Sequence, residues 1–171
     1  MKYLLLGGQP NTGKTSTIRR LYNYLIKIGY SNIIYNHPFD PDNVVRDPSE
    51  DTMTTDFRAV LQKGSSIILI NSGSDTQKII KDFEGFYQRK AEEYNIDVLI
   101  SSVRDIGNER SWLFSCLGIT EDSQDVLEIP LGRVTRRNTI NNDNYEDALN
   151  WYSNSIDVLI QHILSQNPFN I

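Results

Sequence analysis

Residues 8–15 read Gly8-Gln9-Pro10-Asn11-Thr12-Gly13-Lys14-Thr15 and fit the pattern G-x-x-x-x-G-K-[ST]. The two glycines let the backbone turn tightly and bring its N–H groups against an anion. Lys14 adds a flexible point charge, and Thr15 offers a hydroxyl oxygen of the kind that Mg²⁺ prefers. This stretch therefore predicts a loop that binds phosphate groups, with a magnesium ion beside it.

The flanking segments place this loop between a strand and a helix. Residues 2–6 form a short apolar run, which predicts a buried strand that leads into the glycines. Beyond the loop, apolar residues recur at helical spacing until Gly29: Ile18, Leu21, Tyr22, Leu25 and Ile26. Because the N-terminus of a helix carries partial positive charge, this helix adds to the predicted anion site.

A loop of this pattern between a strand and a helix resembles the P-loop NTPase superfamily. The short chain, with its first strand at residue 2, is most similar to the small-molecule and nucleotide kinase branch. The resemblance implies ATP and Mg²⁺ as cofactors, with Lys14 acting on the outer phosphates and Thr15 on the metal. The residues that the resemblance places against the nucleotide are Gly8, Asn11, Thr12, Gly13, Lys14, Thr15 and Ser16.

Apolar periodicity along the rest of the chain predicts an α/β fold. Further strands are expected at residues 31–35, 66–70, 96–100 and 126–129. Further helices are expected at residues 54–63, 79–94 and 109–117, and from residue 143 or 144 onward. The alternation predicts a three-layer, doubly wound fold with a five-stranded parallel sheet and helices on both faces, formed as a single domain by residues 1–171.

Acidic residues follow two of the predicted strands. Asp40 and Asp42 stand just beyond the second strand, where the resemblance implies a group that orients or deprotonates the hydroxyl of an acceptor; simple turn residues are the alternative. The third strand ends in Asn71, where the resemblance leads us to expect an acid that assists magnesium. Asp75 is the nearest acid and is the second candidate metal residue, unless it only marks the start of a helix.

Arginines follow the later strands. Arg104 and Arg110 come after the fourth strand, where the resemblance implies arginines that close over the phosphates. Arg133 is expected to contact the nucleotide base or a phosphate of the acceptor, as are Arg136 and Arg137. For each of these arginines, a solvated surface charge remains the alternative.

The bulk composition narrows the class of protein. The net charge of −5 argues against a general binder of nucleic acid or of anionic membranes. We expect no signal peptide and no membrane span, and the single cysteine fits a reducing, cytoplasmic location. His37 and His162 are far apart and do not suggest a metal pair, so surface or loop roles are expected for both.

Together these patterns predict an ATP-binding phosphotransferase that moves the γ-phosphoryl group to a small acceptor. A nucleoside, a nucleotide or a sugar-like alcohol would fit, and the absence of an N-K-x-D sequence favours ATP over GTP. The alternative is a regulatory ATPase that acts on a protein partner. An oligomeric ATPase that receives an arginine from residues 133–137 of a neighbour is also open. The identity of the acceptor and the oligomeric state stay undetermined at this stage.

Overall fold

The computed structural model describes residues 1–135 and 143–171. Within these residues the chain forms six strands and four α-helices. In chain order they are β1 (Lys2–Gly8), α1 (Lys14–Lys27), β2 (Ser31–Asn36), β3 (Arg58–Lys63), β4 (Ser66–Asn71), α2 (Gln77–Glu93), β5 (Val98–Arg104), α3 (Glu109–Leu117), β6 (Val126–Pro130) and α4 (Asp143–Leu164). A short 3-10 helix, Pro48–Glu50, lies in the long connection between β2 and β3.

The strands form one sheet in the order β2-β3-β4-β5-β1-β6. All of them run parallel except β3, which pairs antiparallel with both of its neighbours. The amino end of β3 therefore lies at the same edge of the sheet as the carboxyl ends of the other strands. One register row near this edge runs across the sheet through Asn36, Arg58, Asn71, Ser101, Leu5 and Glu128.

The prediction of a five-stranded, wholly parallel sheet was wrong, because the predicted helix at residues 54–63 is β3. Its residues Ala59, Val60 and Leu61 are fully buried, as is Phe57 just before it, and the strand lies between β2 and β4. Lys63 pairs with Ser66, so Gly64 and the serine after it form a two-residue turn. Gly64 has a φ of 59°, a left-handed conformation that glycine adopts without strain. The apolar run before this glycine is therefore one arm of a hairpin.

Helices cover both faces of the sheet, as the sequence predicts. Leu4 and Leu6 of β1 point into a core cluster that contains residues of α1 and α4. Leu5 points the other way, into a second cluster that contains residues of α2 and α3. Because successive side chains of a strand alternate between its faces, β1 is buried on both sides. This burial fixes the strand that carries the Gly8–Thr15 loop at one edge of a rigid platform.

Candidate functional site

The loop of residues 8–15 leaves the carboxyl end of β1 and leads directly into α1. In the sheet register, Gly8 lies beside Arg104 at the end of β5. Two residues of the loop, Asn11 and Gly13, have left-handed backbones with φ angles of 62° and 79°. Left-handed residues in a turn bring N–H groups to one concave side, and such a nest suits an anion. The loop thus contains two left-handed residues of the kind that such a nest uses.

The side chain of Lys14 folds back across this loop. Its ammonium donates hydrogen bonds to the carbonyl oxygens of Gly8 at 3.0 Å and of Gln9 at 2.9 Å. Burial lowers the pKa of Lys14, and its acidic neighbours, of which Asp75 acts most strongly, oppose this effect. A desolvated cation that is held by neutral carbonyls gains by meeting an anion. Lys14 is therefore positioned for a negatively charged ligand on the loop.

Thr15 connects the loop to an acidic side chain on another part of the sheet. Its hydroxyl donates a hydrogen bond of 2.8 Å to Oδ1 of Asp56, which lies just before β3. Burial raises the pKa of this carboxyl group. In the part of the chain that the structure describes, Asp56 forms no ion pair. A hydroxyl and a carboxylate with no cationic partner are thus joined at the entrance to α1, as oxygen ligands for a divalent cation would be.

The end of β4 forms the cradle in which the Asp56 carboxylate lies. The hydroxyl of Ser72 is 3.4 Å from Oδ1 of Asp56, and it accepts a hydrogen bond of 2.8 Å from the backbone N–H of Phe57. A Cβ atom added to Gly73 would lie 3.2 Å from Oδ2 of Asp56. The carboxylate therefore rests directly on the backbone of Gly73, where a larger residue would push it aside.

Asn71 and Asp75, the two residues that bear on the predicted metal site, lie on either side of this cradle. Asn71 is buried, and its amide nitrogen donates to the carbonyl oxygen of Gly73 at 2.9 Å and to the hydroxyl of Ser101 at 3.0 Å. Asp75 is exposed and precedes Thr76, the N-cap of α2, whose first turn contains no acid. Neither residue contacts Thr15 as Asp56 does.

Arg104 lies next to the loop at the end of β5. Its Nη1 atom donates to the carbonyl oxygen of Asp75 at 2.7 Å and is 3.6 Å from a carboxylate oxygen of Glu109. Its Nε atom is buried and has no hydrogen-bond partner among the described residues. A buried donor without a partner is costly, so this guanidinium has unused capacity for an acceptor such as a phosphate oxygen.

Arg110, by contrast, is bound to acids. Its guanidinium donates two hydrogen bonds to the carboxylate of Glu128, the one from Nη1 at 2.7 Å, and Nη1 also lies 3.3 Å from Asp105. The hydrogen bonding with Glu128 raises the pKa of Arg110. A bidentate pair of this kind satisfies most of the donors of the fork. The structure therefore engages Arg110 with Asp105, just after β5, and with Glu128 in the middle of β6.

Asp40 and Asp42 are each held by an arginine. Arg46 donates to both oxygens of Asp40, at 2.5 and 2.8 Å, and Arg89 donates to both oxygens of Asp42, at 2.6 and 2.9 Å. The hydrogen bond from Arg46 lowers the pKa of Asp40 to about 2, and that from Arg89 lowers the pKa of Asp42. Both carboxylates are therefore compensated and weakly basic.

A cavity of about 700 Å³ opens beside the loop, between α1, the segment after β6 and α4. Its lining includes Asn11, Thr12, Gly13, Ser16, Arg133 and Tyr152. The backbone N–H of Gly132 donates to the hydroxyl of Tyr152 at 2.6 Å, which holds the segment after β6 against α4. Arg133 therefore shares a cavity with four of the predicted nucleotide-binding residues, whereas Arg136 and Arg137 lie outside the described residues.

One helical turn beyond Thr15, α1 contacts a second polar cluster. Arg19 is buried, and its Nη2 atom donates to Oδ2 of Asp51 at 2.9 Å and to the carbonyl oxygen of Thr55 at 3.0 Å. The other carboxylate oxygen of Asp51 lies 2.8 Å from Nε2 of His37. Helix α1 is thus joined to the β2–β3 connection at Arg19 as well as at Thr15.

The sequence analysis did not single out Asp56, Arg19 or Asp51. The sequence did not indicate Asp56 because the helix predicted at residues 54–63 does not bring this residue to the loop. A hairpin signal was present, since the five residues that separate two largely apolar runs, 57–61 and 67–70, include a glycine. That signal would have placed Asp56 at the sheet edge that carries the loop. Arg19 and Asp51 carry no comparable local pattern.

Comparison with protein-family models, with curated proteins and with solved structures finds no match for this chain. Within residues 1–135 and 143–171, no helix is long and apolar enough to cross a membrane. The same residues contain no group of three or more His, Cys, Asp or Glu side chains that could hold a metal ion. A cation at Thr15 and Asp56 would therefore need further ligands from water or from a bound anion.

Proposed function

We propose that the protein binds ATP with Mg²⁺ and transfers its terminal phosphoryl group to a small acceptor. The observation that carries this proposal is the hydrogen bond between Thr15 and Asp56, which joins a hydroxyl to a carboxylate at the point where the Gly8–Thr15 loop enters α1. Mg²⁺ favours such oxygen ligands and is usually bound through one or two carboxylates, substrate phosphates and water. The loop and this pair together form a site for a metal-bound polyphosphate.

The nucleotide would lie along the loop. The backbone N–H groups of residues 11–15 would hold the phosphates, and Lys14 would exchange its loop carbonyls for the outer phosphate oxygens. Thr15 and Asp56 fit the metal, and Asp56 replaces Asp75 as our preferred acid because it alone contacts Thr15. When bound there, Mg²⁺ would neutralise charge that develops on the transferring phosphoryl group.

The cavity beside Arg133 would take the nucleoside part of the ligand. Its volume of about 700 Å³ lies within the usual range for ligand pockets, about 300–1,000 Å³. It begins at Asn11, Thr12 and Gly13, so a nucleotide whose phosphates lie on the loop can extend into it. An arginine and a tyrosine at its wall offer stacking and hydrogen bonding to a base.

Arg104 is the preferred arginine for the transferring group. It lies beside Gly8 in the sheet, and its buried Nε atom has no partner among the described residues. Arg110 would have to leave Glu128 before it could bind a phosphate. We therefore propose that Arg104 contacts the phosphate oxygens, while Arg110 helps to join the start of α3 to β6 through Glu128.

The first test is the affinity for ATP with and without Mg²⁺, measured by isothermal titration calorimetry. We expect Lys14→Ala to lower the affinity by about 30-fold or more, as loss of one partner of a desolvated charge pair costs about 2 kcal/mol or more. Lys27→Ala, in the exposed last turn of α1, is the matched control and should bind as the wild type does. Equal affinities for both variants would refute the nucleotide site.

The second test is ATP consumption with Mg²⁺, first alone and then with a panel of nucleosides, nucleoside monophosphates and small polyols. A turnover that rises at least tenfold with one class of acceptor would establish phosphotransfer and identify the substrate class. Tight binding with slow consumption that no acceptor changes would refute the transferase. The nucleotide site would then stand without this activity.

A nucleotide-dependent switch that acts on a protein partner is the second candidate function. One observation favours it: residues 51–56 are joined to α1 through Arg19 and Thr15, so they would respond to a ligand at Thr15. This function predicts different hydrogen exchange of residues 51–56 in the ATP and ADP states, and no dependence on a small acceptor. Identical exchange in the two states would exclude it.

A further inference from the structure

His37 is held in one orientation at the end of β2. Its Nε2 atom lies 2.8 Å from Oδ1 of Asp51, a carboxylate whose side chain is only 6% exposed. The other oxygen of Asp51 accepts hydrogen bonds from Arg19 and from the hydroxyl of Tyr35. Burial alone would raise the pKa of Asp51, but the hydrogen bonds from Tyr35, Arg19 and His37 together lower it. Asp51 is therefore a fixed carboxylate to which the imidazole ring is hydrogen-bonded.

The backbone of His37 is fixed as well. Its N–H donates to Oδ2 of Asp40 at 2.9 Å, and its carbonyl oxygen accepts from Nη2 of the buried Arg58 at 2.8 Å. The next residue but one, Phe39, has a φ of 68°, which is unusual for a bulky side chain. Strained residues of this kind persist where surrounding contacts enforce them, and they are frequent at functional sites.

These contacts leave the second ring nitrogen available. A neutral imidazole that donates from Nε2 to a carboxylate carries its lone pair on Nδ1. Among the described residues, the structure shows no hydrogen bond to Nδ1, and the side chain is 24% exposed. The second ring nitrogen is therefore available to a ligand, and a carboxylate holds the opposite side of the ring, which is the arrangement of a general acid–base catalyst.

The cluster lies on the side of α1 that carries the proposed metal pair. Arg19 follows Thr15 by one helical turn, a rise of about 6 Å, and it binds Asp51 directly. Since β2 runs parallel to β1, His37 lies at the same sheet edge as the Gly8–Thr15 loop. Because β2 is an outer strand of the sheet and three strands separate it from β1, an acceptor must extend from the loop toward the β2 side of this edge to meet the imidazole.

The carboxylates on the same connection are poorer bases. Asp40 and Asp42 each accept two hydrogen bonds from one arginine. A catalytic base acts best when it titrates near the working pH, and such a pair favours the charged form of the acid far below that pH. The charged and titratable groups that face His37 are Asp51, Asp40 and Tyr35, while Arg58 holds its carbonyl oxygen. Within the described residues, none of these groups offers a ring nitrogen without a hydrogen-bond partner, as Nδ1 of the imidazole does.

We infer that His37 is the catalytic base that accepts the proton of the acceptor hydroxyl, and that Asp51 is the residue that positions it. This inference rests on the proposed phosphotransfer and narrows its substrate class to alcohols. The acceptor oxygen forms a bond to the γ-phosphorus, and its proton passes to Nδ1 of His37. The bond between the γ-phosphorus and the bridging oxygen breaks, ADP leaves with the electron pair, and Asp51 stabilises the imidazolium.

The test compares four proteins: the wild type, His37→Gln, Asp51→Asn and His162→Gln. For each, affinity for Mg²⁺-ATP is measured, and ³¹P NMR follows transfer to a panel of nucleosides, nucleoside monophosphates and small polyols across the pH range. His162 is the only other histidine and lies exposed in the last turn of α4, so its variant is the matched control.

We expect His37→Gln to lower kcat by about 10²-fold or more, the usual contribution of a general base, while the Mg²⁺-ATP affinity stays within twofold. In the wild type, kcat should decrease at acidic pH as an imidazole takes up a proton. The pH profile of His37→Gln should lack this acid limb. In Asp51→Asn the limb should move to lower pH, because the imidazolium loses its partner. His162→Gln should match the wild type.

If His37→Gln loses thermal stability, His37→Ala with added imidazole replaces it, and partial recovery of kcat is expected. Three outcomes would overturn the inference: a kcat in His37→Gln within threefold of the wild type, an unchanged acid limb, or transfer to none of the alcohols while Mg²⁺-ATP still binds. If the wild type itself does not bind Mg²⁺-ATP, the proposed function is refuted, and the inference with it.

Discussion

Asp56 and Asp40 lie at the same edge of the sheet, at the two ends of the β2–β3 connection, and their surroundings are opposite. Asp40 is bound by both ends of the Arg46 fork, which lowers its pKa to about 2. Asp56 accepts hydrogen bonds from the hydroxyls of Thr15 and Ser72, and burial raises its pKa. One carboxylate already has its cation, and the other has only neutral donors.

This difference separates a structural acid from one that is suited to a ligand. A carboxylate with an arginine partner has little to gain from a metal ion, because the metal must first displace the arginine. A half-buried carboxylate that forms no ion pair and whose pKa is raised by burial is destabilising when it is charged, until a further positive charge reaches it. We therefore expect Asp56 to respond strongly to Mg²⁺ and nucleotide, and Asp40 to respond weakly.

The largest effect should come from Asp56→Asn. The change keeps the shape of the side chain but removes its charge, so we expect the affinity for Mg²⁺-ATP to fall by about 30-fold or more. Affinity for ATP in the presence of a chelator should stay the same or rise, because a negative charge near the phosphates is gone. Calorimetric titrations with and without Mg²⁺ measure both values, and Asp40→Asn should stay within twofold of the wild type. Equal losses in the two variants would remove the distinction between the two acids.

A smaller effect is expected from Gly73→Ala. The new methyl group would lie 3.2 Å from Oδ2 of Asp56 and 3.2 Å from Cγ2 of Ile79, so the carboxylate must shift by a few tenths of an ångström. A displacement of this size should weaken Mg²⁺-ATP binding by about fivefold, or ~1 kcal/mol. The control is Gly85→Ala in α2, whose methyl group would meet only the flexible end of Arg89. If both variants bind as the wild type does, Asp56 does not depend on the backbone of Gly73.

Stability without ligand should change in the opposite direction to binding. Because burial raises the pKa of Asp56 above its ordinary value of 3.8, the folded chain loses stability as pH rises past that value. Asp56→Asn should therefore raise the melting temperature at pH 8 by about 2–4 °C, which corresponds to ~1 kcal/mol in a chain of this length. Scanning fluorimetry without nucleotide should show this gain shrink toward pH 4. A lower melting temperature at pH 8 would contradict the destabilising role of the free carboxylate.

The smallest effect is expected for the stability of Asp40→Asn. Its partner Arg46 is 43% exposed, and exposed ion pairs contribute about 0–1 kcal/mol, so the melting temperature should fall by about 2 °C or less. The pKa of Asp40 is lowered to about 2, so its contribution is present above its ordinary value of 3.8 and is lost as pH falls toward 2. The difference from the wild type should vanish over that interval. A large loss of acceptor-dependent turnover in this variant, with unchanged stability and with full turnover in His37→Gln, would restore Asp40 as the base.

The sequence predicted the elements whose signals are local and strong. Apolar residues at helical spacing gave α1 and α2, and the continuous run at residues 67–70 gave β4, because burial on both faces requires such runs. The prediction from sequence failed at β3, because the apolar run before Gly64 is too short for its periodicity to distinguish a strand from a helix. The antiparallel direction of β3 follows from the two-residue turn at Gly64, which joins it to β4.

The same division holds for the candidate site. The loop geometry at residues 8–15 depends on neighbours within one stretch, so the pattern predicts a tight turn there, and Gly13 is left-handed at that turn. The pairing of Thr15 with Asp56 and of His37 with Asp51 depends on which strands are adjacent, and no spacing rule in the sequence specifies this. These contacts are set by the sheet order.

The antiparallel direction of β3 has a consequence for how this fold can vary. Residues 37–57 leave the sheet at the end of β2 and return at the start of β3, at the same edge, so the sheet itself fixes the distance between their ends. Each doubling of the length of such a loop adds only about 0.6 kcal/mol of closure entropy. The chain can therefore accept insertions among the exposed residues 45–47, between the parts of the connection that hold His37 and those that hold Asp51 and Asp56. An acceptor of a different size could be accommodated by such an insertion, while the sheet beneath it stays unchanged.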